Sequence, residues 1–225
     1  MVTEPAAAEA DPEDCLRASE FVDSDHPAIA EYAHTHSSSG ANPREQVVEL
    51  YYAIRDQFRY SPWGVASERH GFRASAVALR TSAEGHCIDK ANLLAACARY
   101  LGVPSRLHFA NVRNHIGTAE LEKKLGSDLL VFHGYCELHL DGAWVAATPA
   151  FNRALCEKLG VAPLEFDGRA DSIFQEYEAG KRFMEYVHDY GSYSDIPFEM
   201  MVGEWRRHYP EIAKNGWPRR SKQTG

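Results

Sequence analysis

Gly85-His86-Cys87-Ile88-Asp89-Lys90-Ala91-Asn92-Leu93-Leu94 reads as a tight turn running into an apolar helix, with a cysteine at the boundary. The first N–H groups of a helix lack intrahelical acceptors and carry the positive end of its dipole. A thiolate is favoured there, and an oxyanion can be held beside it. Ala91, Leu94, Ala95, Ala98 and Leu101 continue a broad apolar face; Gly102 ends the helix and Pro104 confirms the stop. Cys87 is therefore the candidate nucleophile, with its own backbone N–H as the candidate oxyanion donor. Any activating histidine must come from elsewhere in the chain.

Downstream, Arg106-Leu107-His108-Phe109-Ala110-Asn111-Val112 alternates as a strand, and a polar, partly helical excursion follows over 113–128. Then Leu130, Phe132, Cys136, Leu138 and Leu140 fall on even positions and His133, Tyr135, Glu137 and His139 on odd ones. Asp141-Gly142 supplies a two-residue turn into Ala143-Trp144-Val145-Ala146-Ala147-Thr148. Pairing 140 with 143 extrapolates to 135 with 148 and 133 with 150. His133 then has Thr148 and Asn152 as diagonal neighbours, about 7–8 Å away and within side-chain reach. His133 becomes the candidate base, with Asn152 or Thr148 as the group that orients its ring.

Upstream, Asn42, Pro43 and Glu45 form a helix-start signature, and Val47, Tyr51, Ile54 and Phe58 share a face, which predicts a helix over 43–59. Shorter helices are expected at 27–36 and 74–79, with Tyr60, Trp63 and Trp144 as candidate cleft walls. Toward the C-terminus the composition predicts loop through Phe166-Asp167-Gly168, a helix over 171–190 and another over 198–208. The organisation is read as a flexible extension over 1–20, a single domain over 21–215 and a flexible tail over 216–225.

The 225 residues carry a formal charge of −8, and no basic cluster exists beyond Arg219, Arg220 and Lys222, which excludes a phosphate-binding surface and hence nucleic acid. Neither a leader-like N-terminus nor a membrane-length apolar run is present, so the expectation is a cytoplasmic protein without membrane contact. Five cysteines without a C-x-x-C pair suit free thiols rather than disulfides or zinc. Cys97 and Cys136 are expected as buried small hydrophobes. His86 and Cys87 project differently, and Cys136 lies on the opposite strand face from His133, so no metal site is expected; no D-x-D-x-D-G calcium loop occurs either. Asp89 reads as a helix-stabilising carboxylate. No cofactor is implied.

Three segments together carry a resemblance. Gly85-x-Cys87-x-Asp89-x-Ala91-x-Leu93-Leu94 followed by Gly102-Val103-Pro104-Ser105-Arg106 resembles the cysteine motif of the transglutaminase-like superfamily. His133-Gly134-Tyr135 through Asp141-Gly142-Ala143-Trp144-Val145 is similar to its histidine motif, and Tyr52 to Tyr60 to the helix before the cysteine. The likeness spans 43–152. It implies an α+β, papain-like core in which the cysteine-bearing helix packs on an antiparallel sheet. It also implies a thiol enzyme acting on peptide or protein amides through a Cys87 thioester, passing the acyl group to water or an amine. One departure stands out: Ala147-Thr148-Pro149 occupies the place of the family's D-P-T, so its motif aspartate is missing. The alternative reading is therefore an inactive binding scaffold on the same fold.

Overall fold

The capping signals upstream act as the sequence predicts. In the computed structural model, which describes residues 11–62, 65–66, 68–114, 123, 125–173, 176–178, 181–182 and 184–215, helix α1 spans Pro27–His36 and α2 spans Pro43–Gln57. The Asn42 side chain accepts from Glu45 N–H at 3.0 Å while the Glu45 carboxylate returns to Asn42 N–H. Strand β1 (Arg59–Tyr60) pairs in parallel with β2 (Glu84–Gly85), and the short α3 (Ala74–Ala78) lies between them in sequence. Helix α4 (Cys87–Tyr100) follows β2 directly; every residue from Ile88 to Arg99 is buried. Leu93 and Leu94, fully enclosed, contribute roughly 2 kcal/mol each by leaving water.

One side of α4 meets α1, α2 and α3, and the other meets a four-stranded antiparallel sheet. The strands are β3 (Ser105–Asn114), β4 (Leu129–Leu140), β5 (Ala143–Ala147) and β8 (Met184–Tyr193), in the order β5-β4-β3-β8. Helix and sheet approach closely at Gly134, where a Cβ would stand 3.1 Å from the Phe109 ring and 3.2 Å from Ile88. A short α5 (Arg153–Leu159) and a small pair, β6 (Glu176–Glu178) with β7 (Lys181–Arg182), precede β8; α6 (Phe198–His208) and α7 (Pro210–Asn215) end the described chain. The mixed α+β class is as expected.

Four expectations are corrected. The described residues of 171–190 do not form a helix: β6, β7 and most of β8 lie there, and β8 pairs with β3 from Leu107↔Tyr193 to Asn114↔Met184. Tyr186, Val187, Tyr190 and Tyr193 suit a pleated surface, and the long-range partner overrides the local helical charge pattern. Arg153–Leu159 is helical rather than loop. Residues 11–20 are seated on the body, since Cys15 is 0% exposed and the Arg17 carbonyl accepts from Arg99 at 2.6 Å. Finally, the β4–β5 ladder keeps its expected register from Leu140↔Ala143 but stops at Cys136↔Ala147, so the 133–150 pair does not form. Trp63, the 216–225 tail, residues 1–10 and much of the 113–128 excursion lie outside the described residues.

Candidate active site

Cys87 begins α4 because His86 caps it. The His86 Nδ1 accepts from the N–H groups of Ile88 at 3.1 Å and Asp89 at 3.2 Å, and the Asp89 carboxylate accepts from His86 N–H at 3.3 Å. A histidine thus does what Ser or Asn ordinarily does at a helix start. Asp89 is fixed in turn by Arg80 at 2.6 Å. The helix-stabilising role expected of Asp89 is therefore what it performs.

The thiol environment sets two effects against each other. Burial raises the Cys87 pKa, while hydrogen bonds from the Gly134 and Ile88 N–H groups and from its own N–H lower it; burial prevails and the thiol is pushed up to about 11. The Gly134 contact matters for geometry, because it brings the strand residue next to His133 onto the sulfur. Cys87 and His133 line one cleft together with His86, Tyr60, Val131, Phe132, Trp205 and Tyr209. Burial, with a smaller contribution from His86, pushes the His133 imidazole down to about 4. Its ring is neutral at pH 7, which is the form a proton acceptor needs.

His133 reaches that cleft through a bulge the alternation did not predict. Ala110 pairs with His133 and Val112 with Leu130, so Asn111 alone opposes both Val131 and Phe132. Phe132 takes φ 61, a left-handed conformation rare for a bulky side chain. Three side chains satisfy the backbone groups the bulge displaces. Phe132 N–H donates to Asn111 Oδ1 at 3.0 Å, Val131 N–H donates to the Tyr209 hydroxyl at 2.7 Å, and the Val131 carbonyl accepts from Trp205 Nε1 at 3.0 Å. Tyr209 also donates to the Leu129 carbonyl at 2.7 Å. Asn111 is anchored from behind by Tyr190, whose hydroxyl donates to Glu204 at 2.9 Å. Backbone strain held by converging tertiary bonds is typical of functional positions. Asn111, Trp205 and Tyr209 escaped the sequence reading; a buried Asn inside an otherwise apolar strand was the available signal for the first.

The two orienter candidates fare differently. Asn152 precedes α5 and is buried, but its Oδ1 accepts from Tyr60 N–H at 3.0 Å, which ties β1 to the end of the hairpin region. The Thr148 hydroxyl is buried without a hydrogen-bond partner, and so is His133 Nδ1. No hydrogen bond joins His133 to either residue among the described residues. Tyr135 stacks on His108 with ring centroids 4.7 Å apart. Trp144 stands under the Arg106 guanidinium at 4.1 Å. Cys97 and Cys136 are fully buried. Among the described residues no group of three or more His, Cys, Asp or Glu could hold a metal ion, and no helix is long and apolar enough to cross a membrane.

Comparison with known proteins adds a family. No curated protein matches the chain. A solved structure described as a "putative cysteine protease" from Cytophaga hutchinsonii aligns over 83% of this chain at 18% identity and a TM-score of 0.45. The chain spans 55% of that structure's length. Residues 30–149, more than half of the chain, match the transglutaminase-like superfamily pattern, and they include the helix start that carries Cys87 and the bulged strand that carries His133. By that match, the chain belongs to the transglutaminase-like superfamily.

Proposed function

We propose that the protein is a thiol enzyme that attacks a peptide or protein amide through Cys87, with His133 as base and then acid. The observation that carries this reading is the shared cleft, in which a helix-start thiol receives the Gly134 N–H from the residue next to a buried, neutral histidine. A thiol held near 11 is about one part in 10⁴ thiolate at pH 7, so attack needs a base to take its proton. His133 accepts the S–H proton, sulfur bonds to the amide carbon, and the carbon–nitrogen bond breaks as the imidazolium protonates the leaving amine. Water or an amine then attacks the thioester, returning the thiol. The backbone N–H groups at the start of α4 are the donors available to the developing oxyanion.

Thr148 is the better orienter. A ring N–H needs an acceptor; the Asn152 oxygen is already held by Tyr60 N–H, whereas the Thr148 hydroxyl is unengaged. The unpaired His133 Nδ1 also favours a second reading, a binding scaffold that keeps the fold without the chemistry.

Alkylation separates the two. Iodoacetamide should label Cys87 at pH 7 faster than Cys97, and His133→Ala should abolish that preference. Acyl transfer from a peptide-amide or peptide-thioester library should depend on both residues. Equal labelling of Cys87 and Cys97, unaffected by His133→Ala, would establish the scaffold instead.

A further inference from the structure

Lys90 lies three residues after Cys87, on the same side of α4, and it is 0% exposed. A buried lysine calls for an explanation, because removing an ammonium from water costs several kcal/mol unless polar groups replace its hydration. Here three carbonyl oxygens do so. Lys90 Nζ donates to Arg55, Phe58 and Ala150, each at 2.8 Å, which uses all three N–H bonds of an ammonium.

Those acceptors come from the segments that surround the thiol. The Arg55 and Phe58 carbonyls belong to the end of α2, where a helix leaves carbonyls unpaired and its dipole favours a cation. Phe58 leads directly into β1, which positions Tyr60 and pairs with β2 immediately ahead of His86 and Cys87. Ala150 stands between Thr148 and Asn152, and Asn152 is itself bonded to Tyr60. Removing the ammonium would release the end of α2 and the Ala150 segment at once.

Charge points the same way. The groups acting on Lys90 are Asp56, Cys156 and Cys87, whose negative forms favour the ammonium, and Arg55, which opposes it. None of the hydrogen bonds above comes from a carboxylate, and Asp56 is engaged by Arg55 and by Arg153 N–H. An attraction between two groups is mutual, so the ammonium that gains from a Cys87 thiolate also favours that thiolate.

We propose that Lys90 is the positioning residue of the thiol centre, fixing the walls around Cys87 and holding a positive charge one helical turn from the sulfur. The proposal rests on Cys87 being the nucleophile.

Lys90→Gln removes the charge and keeps two donors for the three carbonyls; Lys90→Met removes both. In folded Lys90→Gln protein, checked by near-ultraviolet circular dichroism, Cys87 alkylation at pH 7 should slow about tenfold and its pH midpoint should move up. kcat should fall with KM little changed. Labelling identical to wild type at every pH overturns the proposal, since a purely structural role would alter stability and leave the pH profile in place. If neither variant folds, the wild type decides. Burial pushes Lys90 down to about 7, so the logarithm of the Cys87 labelling rate should climb with a slope below one between about pH 6.5 and 8. A slope of one throughout that range rejects the role. If wild-type Cys87 labels no faster than Cys97 and ignores His133, the parent reading has failed, and Lys90 is not at issue.

Discussion

The two halves of β4 are built by different rules. From Gly134 to Leu140 the strand is regular: it pairs with β3 residue for residue as far as Leu138, joins β5 through Asp141-Gly142, and places Cys136 and Leu138 in the core. From Leu129 to His133 it is bulged, carries Phe132 in a left-handed conformation, and relies on Asn111, Trp205 and Tyr209 to satisfy its backbone. The regular half supplies stability through burial, which many apolar residues could provide. The bulged half concentrates specific side chains and strain immediately before the candidate base. Regular core packing and the candidate base thus occupy adjacent stretches of one strand, separated at Gly134.

That contrast breaks most readily at His133. His133→Ala should lower acyl transfer about 10³-fold, near 4 kcal/mol of barrier, while thermal unfolding changes far less; a drop under tenfold would remove His133 as base. Acid should act on the same half. Folding holds the His133 pKa at about 4, below its ordinary 6.5, so the unfolded chain takes up the proton first. Stability from this group is present above about pH 6.5 and is lost as pH falls toward 4, on the order of 3 kcal/mol, measurable by urea titration across that range. His133→Ala should flatten that slope.

Asn111→Leu tests the support of the bulge. It removes the acceptor for Phe132 N–H and should reduce kcat roughly 10- to 100-fold, about 1.5–3 kcal/mol, in protein that still folds. Unchanged kcat would show that the bulge positions nothing. The smallest effect belongs to the regular half. Gly142 has φ 82, and Gly142→Ala should cost about 1 kcal/mol of stability while leaving Cys87 labelling untouched.

The same division explains what the sequence made legible. Asn42-Pro43-Glu45, Gly102-Val103-Pro104 and Asp141-Gly142 act through local backbone chemistry, and the helices and hairpin register they imply are present. Cys87 and His133 were legible as candidates because their motifs sit on those local features, and the structure brings both to one cleft. Strand β8 was not, since its pairing with β3 depends on residues about 75 positions away in sequence. The bulge was invisible for a related reason: Phe132 opposes its own steric preference, and the bonds that satisfy the backbone around it come from β3, α6 and Tyr209. Lys90 reads as a surface residue until the three carbonyls around it are known.

The Trp205 and Tyr209 bonds also impose an order of assembly. The candidate nucleophile and the candidate base both lie within the first 133 residues, yet the peptide groups of Leu129 and Val131 find their partners on a segment 74 to 80 residues downstream. A nascent chain stopped before that segment holds Cys87 and His133 without the partners of those peptide groups. The bulge that carries His133 is therefore completed only once Trp205 and Tyr209 have been made and docked.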